Sequence, residues 1–120
     1  MTDFRSIYND VVAAANTSEV SAQEIGTAIV KIAQCFSEVV GERRLRKNVL
    51  AKKAVEILNS VGVDGKPMPV SKAEYLIEAT PESQSYKQMD DELTIVERYM
   101  DALKAMQYGA AREFGAMGRA

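Results

Sequence analysis

The sequence has no histidine, no tryptophan and a single cysteine, Cys35. Without histidine, no side chain has an ordinary pKa suited to proton transfer near neutrality. With one cysteine there is no internal disulfide and no thiolate zinc site, so no transition metal is expected. The apolar neighbours Ile32, Phe36 and Val39 predict that Cys35 is a buried thiol. Three prolines and seven glycines among 120 residues leave long stretches free of breakers, which favours helices. No apolar run approaches the roughly 18 residues of a membrane span. The opening MTDFRSIYND has neither a basic start nor an apolar secretory segment, so a cytoplasmic location is expected. Phosphate-cradling glycine loops are also missing. At 47% hydrophobic and 27% charged residues, the composition is that of one small soluble domain.

What remains has a helical period. Phe4, Ile7, Tyr8, Val11, Val12 and Ala15 predict a helix over residues 3–15. Ser21-Ala22-Gln23-Glu24 reads as a capping box, with Val20 and Ile25 spaced as its hydrophobic staple. From there Ile25, Ile29, Ile32, Phe36 and Val39 form a stripe that meets Arg43 and Lys47 before resuming at Leu50, Ala54, Ile57 and Val61. Residues 21–61 are therefore one long helix or two broken at Gly41. A mid-helix glycine costs only about 1 kcal/mol, which favours continuity. Asn59, Ser60 and Gly62 end this helix, and Asp64-Gly65 centres a tight connection with room for a very short hairpin. Val70, Ser71, Glu74 and Tyr75 repeat the box-and-staple pattern and predict a short helix over 72–79. Thr80-Pro81 then caps a helix over 81–117. Its positions Tyr86, Met89, Leu93, Val96, Met100, Leu103, Gln107, Ala110, Phe114 and Met117 keep heptad spacing. The expected fold is all-α: a long helical hairpin or small bundle with a coiled-coil-like C-terminal helix. Leu93, Val96, Met100, Leu103 and Phe114 are the candidate oligomer interface, with a core-facing role as the alternative.

Charge is partitioned. Residues 42–53 hold Arg43, Arg44, Arg46, Lys47, Lys52 and Lys53 against Glu42, a net of +5. Residues 73–101 hold eight acidic side chains against Lys87 and Arg98, a net of −6. The two blocks either pair within the fold or face separate partners. Glu97 and Asp101, one turn apart, are the nearest approach to a magnesium site. Helical pyrophosphohydrolases pair E-E-x-x-E with E-x-x-D, and Glu38 and Glu42 do not supply the first half. A solvated acidic face is the better reading of Asp90, Asp91, Glu92, Glu97 and Asp101. Neither an enzyme nor a cofactor is expected.

Six cations spread round a helix suit phosphate-backbone contact rather than base reading in a groove. Tyr75, Tyr86, Tyr99 and Tyr108 are the candidate base-stacking residues. The order L-R-K-N-V-L-A-K-K-A, a Gly-Asp-Gly type connection, K-A-E-Y, then Y-K-Q-M-D-D-E-L-T-I-V-E-R-Y-M-D-A-L-K-A-M-Q resembles short helical tailed-phage proteins, in particular the UvsY-like recombination mediators. The likeness covers roughly residues 45–117. It implies an oligomer that binds single-stranded DNA and helps load a recombinase onto strands covered by single-strand-binding protein. By that resemblance the DNA-contacting helix is the stretch carrying Arg46, Lys47, Lys52 and Lys53. The other reading is a small helical interaction module, such as a phage-encoded inhibitor or assembly adaptor, whose basic patch docks on an acidic protein.

Overall fold

The computed structural model describes residues 3–60 and 65–117, with side chains to residue 112. Among the described residues there are four helices and no strand: α1 (Phe4–Thr17), α2 (Ala22–Leu58), α3 (Val70–Glu78) and α4 (Pro81–Met117). No helix among them is long and apolar enough to cross a membrane. The chain divides into two compact units, one of Met1–Glu38 with Leu93–Ala120 and one of Val39–Glu92, so α2 and α4 each contribute to both.

Local signals set most helix ends. Asp3 accepts from the Arg5 N–H at 3.0 Å and starts α1. Ser21 Oγ accepts from the Glu24 N–H at 3.1 Å, the first half of the expected capping box. Thr80 Oγ1 accepts from the Ser83 N–H at 3.1 Å and donates to the Ile77 carbonyl at 2.6 Å, tying the end of α3 to the start of α4. Helix α3 begins at Val70 rather than near Lys72. The Pro69 carbonyl already accepts from Ala73 at 3.0 Å, which leaves Ser71 inside the first turn instead of capping it. Gly65 has φ +76°, a left-handed conformation that glycine adopts without strain. The very short hairpin that the Asp64-Gly65 connection leaves room for falls partly on residues 61–64, outside the described residues along with Val61 and Gly62, and residues 65–69 form no strand.

Helix α2 runs unbroken through Gly41. Its buried line is Ile25, Ala28, Ile32, Cys35 and Val39, while Ile29 and Phe36 are half-buried. The stripe is thus displaced toward the small side chains Ala28 and Cys35. Burial pushes the Cys35 thiol up from its ordinary pKa, and the charge of Glu38 adds to the shift.

In the first unit, Val96 and Leu103 of α4 are fully buried. Phe4 packs against Tyr99 at 5.8 Å between ring centroids, and Tyr8 stacks on Tyr99 at 4.1 Å, which fastens α1 to α4. Gln107 Nε2 donates to the Ala22 carbonyl at 3.1 Å across the unit. In the second unit the buried residues include Val39, Ala73, Thr80, Ser83 and Met89.

At Met89, Val96 and Leu103 the heptad of α4 packs within the chain, the core-facing alternative. Val96 and Leu103, expected at an intersubunit seam, have no exposed surface to offer a partner, and Leu93 and Met100 are half-buried beside them. A heptad fixes which face is apolar but not whether the covering helix belongs to the same chain. The Phe114 side chain lies outside the described residues.

Two substitutions test this packing. A Cβ built at Gly41 meets nothing within 4 Å. Gly41→Ala should therefore stabilise the protein by about 0.5–1 kcal/mol in urea unfolding. Leu103→Ala should cost about 2–5 kcal/mol in the same measurement, the usual effect of a cavity at a fully buried leucine.

Candidate nucleic-acid interface

The basic stretch lies in the second unit, on the part of α2 that follows Val39. One turn beyond Val39 the buried line reaches Arg43, whose side chain is 35% exposed. Leaving a guanidinium unpaired there would be costly. Two residues one turn apart on α4 receive it. Arg43 Nε donates to Asp90 Oδ1, and Arg43 Nη2 donates to the Tyr86 hydroxyl at 2.7 Å. The guanidinium also lies 5.1 Å from the Tyr86 ring centroid. The hydrogen bond to Asp90, reinforced by its charge, holds the Arg43 pKa above its ordinary value.

Arg46 faces the same neighbour. Its Nη1 donates to the Ser85 carbonyl at 3.2 Å, and its Nε donates to Glu42 Oε1 at 3.1 Å one turn back. Arg46, not Lys47, thus continues the line toward Leu50. Lys47 is exposed because the line runs 39–43–46–50. Lys53 Nζ lies 3.5 Å from Glu56 Oε2 on the same helix.

Arg44, Lys47 and Lys52 are exposed and make no ion pair or hydrogen bond among the described residues. The six predicted cations therefore separate into three with counter-charges in the chain and three without. Asp90, in the acidic block, meets a cation of the basic one, while Asp91 is exposed. Glu97 and Asp101 are exposed too. No group of three or more potential metal-binding side chains occurs among the described residues.

The tyrosines are also divided. Tyr86 is engaged by Arg43 and Tyr99 by Tyr8 and Phe4, so both are half-buried and committed to internal contacts. Tyr75 is 72% exposed and Tyr108 67% exposed. Composition gave no sign of the apolar residues interleaved with the cations on the outer side of α2. Leu45, Val49, Val55 and Leu58 are each about half exposed or more. The signal was present in the helical period, since these four lie off the line through Val39, Leu50 and Ile57. No family model, curated protein or solved structure matches the chain.

The Arg43 contacts can be weighed by a double-mutant cycle. Arg43→Gln and Asp90→Asn, made singly and together, should show a favourable coupling in urea unfolding. Arg43→Lys should not restore it, because one ammonium cannot reproduce the two-pronged contact with Asp90 and Tyr86.

Proposed function

We propose that the chain is an accessory protein of phage-type DNA recombination or replication that binds single-stranded DNA through the exposed cations of α2. The observation that carries the reading is that Arg44, Lys47 and Lys52 are exposed and lack any counter-charge among the described residues. Neutralising a phosphate releases condensed counterions and gives affinity without sequence readout. The resemblance of residues 45–117 to UvsY-like mediators supports the same reading, with a recombinase or single-strand-binding protein as further partners. Arg43, Arg46 and Lys53 drop out of the contact set, because their charges are already met inside the chain. With Tyr86 and Tyr99 packed internally, Tyr75 and Tyr108 are the candidate stacking residues that stay exposed, and the contact rests chiefly on charge.

A second reading, a helical interaction module without nucleic acid, draws on the exposed Leu45, Val49, Val55 and Leu58. Apolar side chains contribute little to phosphate contact and are more at home under a protein partner.

Fluorescence anisotropy with a labelled single strand across a salt series separates the two. Three phosphate contacts at about −0.7 each give a slope of log affinity against log salt of roughly −2 per protomer. Replacing Arg44, Lys47 and Lys52 together with glutamine should abolish binding, whereas Arg43→Gln should leave the slope unchanged. Absence of binding at low salt would reject the nucleic-acid reading and leave the interaction module.

A further inference from the structure

Where α1 gives way to α2, the first unit has an open groove of about 1150 Å³. Its walls are the end of α1, the turn of residues 18–21, the first turn of α2 and residues 106–111 of α4. Gly109, Ala110 and Ala111 leave the space because their side chains are small, and Val20, Ile25 and Met106 supply the apolar surface. A Cβ at Gly109 meets nothing within 4 Å, whereas one at Gly26 would run into the Gln107 amide at 2.8 Å. Packing inside the chain thus accounts for Gly26 and not for Gly109, which weakens its helix with no close contact in return.

The rim of the groove has one sign. Glu19 and Glu24 are the only charged residues lining it among the described residues, and both are exposed without an ion pair there. Lys104 and Arg112, the nearest cations along α4, stand roughly a third of a turn or more from the line of Met106 and Ala110. The hydroxyls of the rim accept rather than donate. Thr17 Oγ1 donates to the Ala13 carbonyl at 3.1 Å and Ser18 Oγ to the Ala14 carbonyl at 3.2 Å, so each turns its proton back into α1. The carbonyls of Ala15, Asn16 and Thr17 end α1 with no donor among the described residues, and its last turn has no basic side chain. The opposite pole, at the start of α2, is already answered by Ser21 Oγ and by Glu24 in the first turn.

An occupant of this groove needs an apolar part for the walls, and donors with positive charge for the rim. The volume exceeds that of enclosed small-molecule sites, about 300–1000 Å³, and one side is open, which suits a segment of chain. We propose that the groove docks a basic, apolar peptide segment of a partner protein. Its apolar side chains lie over Val20 and Met106, and an arginine or lysine enters between Glu19, Glu24 and the end of α1. That cation brings both the charge and the hydrogen-bond donors that the rim lacks, and it meets the carbonyl end of α1 where the helix has no basic residue of its own. The docking lies in the first unit and uses the sign opposite to that of the strip on α2. A chain with both surfaces would bring a basic protein segment to a polyanion; that consequence alone rests on the proposed single-strand binding.

Fluorescence anisotropy of the full chain with labelled peptides tests the docking. The probe is a short peptide of leucine and arginine at helical spacing, with one control carrying glutamate for arginine and another serine for leucine. The wild type should bind the probe at least tenfold more tightly than either control. Gly109→Phe, which fills the groove from an unobstructed position, should abolish binding with helical circular dichroism retained. Glu19→Gln with Glu24→Gln, both exposed, should weaken binding at least tenfold, and this pair decides the matter if the Gly109 variant loses its helical signal. Glu97→Gln with Asp101→Asn, on an exposed acidic side of α4, should leave binding unchanged. The proposal is overturned if the wild type does not distinguish the three peptides, if binding survives the glutamine pair or a folded Gly109→Phe, or if the α4 pair removes it equally. Replacing Arg44, Lys47 and Lys52 with glutamine should leave peptide binding intact while abolishing binding to a single strand, so the failure of one idea leaves the other standing.

Discussion

A guanidinium on the buried line of α2 is the constraint around which the second unit is arranged. Nothing resets the helical face between Val39 and Arg43, because the helix passes Gly41 without a break. The line delivers the half-buried charge to the side facing α4, and it is met there. Asp90 and Tyr86, one turn apart on α4, supply an acid and a hydroxyl to two nitrogens of one planar fork. Lysine, a single ammonium, could not hold both in that geometry. With Arg43 fixed between residues 86 and 90, Arg46 falls beside the Ser85 carbonyl, so the chain segments run antiparallel and their register is set. Because Arg43 and Asp90 are each more than a third exposed, solvent weakens the attraction between them. Their main effect is on which residues of α2 meet which residues of α4.

That register also sorts the cations. Arg43 and Arg46 are drawn to α4, and Lys53 is held by Glu56. What remains outward is not a uniform basic surface. Arg44, Lys47 and Lys52 alternate with Val55 and Leu58, and the Leu45–Val49 ridge follows round the helix. A net of +5 on paper becomes a smaller, divided charge once neighbours are counted. Under the proposed single-strand binding, affinity depends on how many of these outward cations reach a phosphate, since each contact contributes separately to the salt dependence.

Much of the fold is legible in the sequence, for identifiable reasons. Ser21 and Thr80 carry short-range capping chemistry that needs no tertiary context, and the structure makes both bonds. The buried thiol at Cys35 follows from its apolar neighbours. At Val70 the same kind of reasoning failed, because Pro69 already supplies the first turn's acceptor and Ser71 is left inside the helix. The roles of Val96 and Leu103 were not legible either. A seven-residue repeat specifies a seam, but the partner helix is decided by connectivity and length, which periodicity does not encode. For the candidate site, the sequence left open whether the basic and acidic blocks pair within the fold, and the meeting of Arg43 with Asp90 depends on the register of α2 against α4. The choice of Arg46 over Lys47 was not readable, because it turns on a shift of one residue in the buried line.

Helix α2 beyond Val39 carries three demands on one cylinder. One side faces its own chain, another carries the exposed pair Leu45 and Val49, and the rest carries cations without an ion pair among the described residues. A helix that only completed a small bundle would need the first, with polar residues elsewhere. Keeping Leu45 and Val49 in water weakens solubility, and keeping Arg44, Lys47 and Lys52 together costs mutual repulsion. Neither cost is offset inside the described chain. Under the proposed single-strand binding, an anion along Arg44, Lys47 and Lys52 relieves that repulsion, and added salt weakens the effect by supplying counterions of its own.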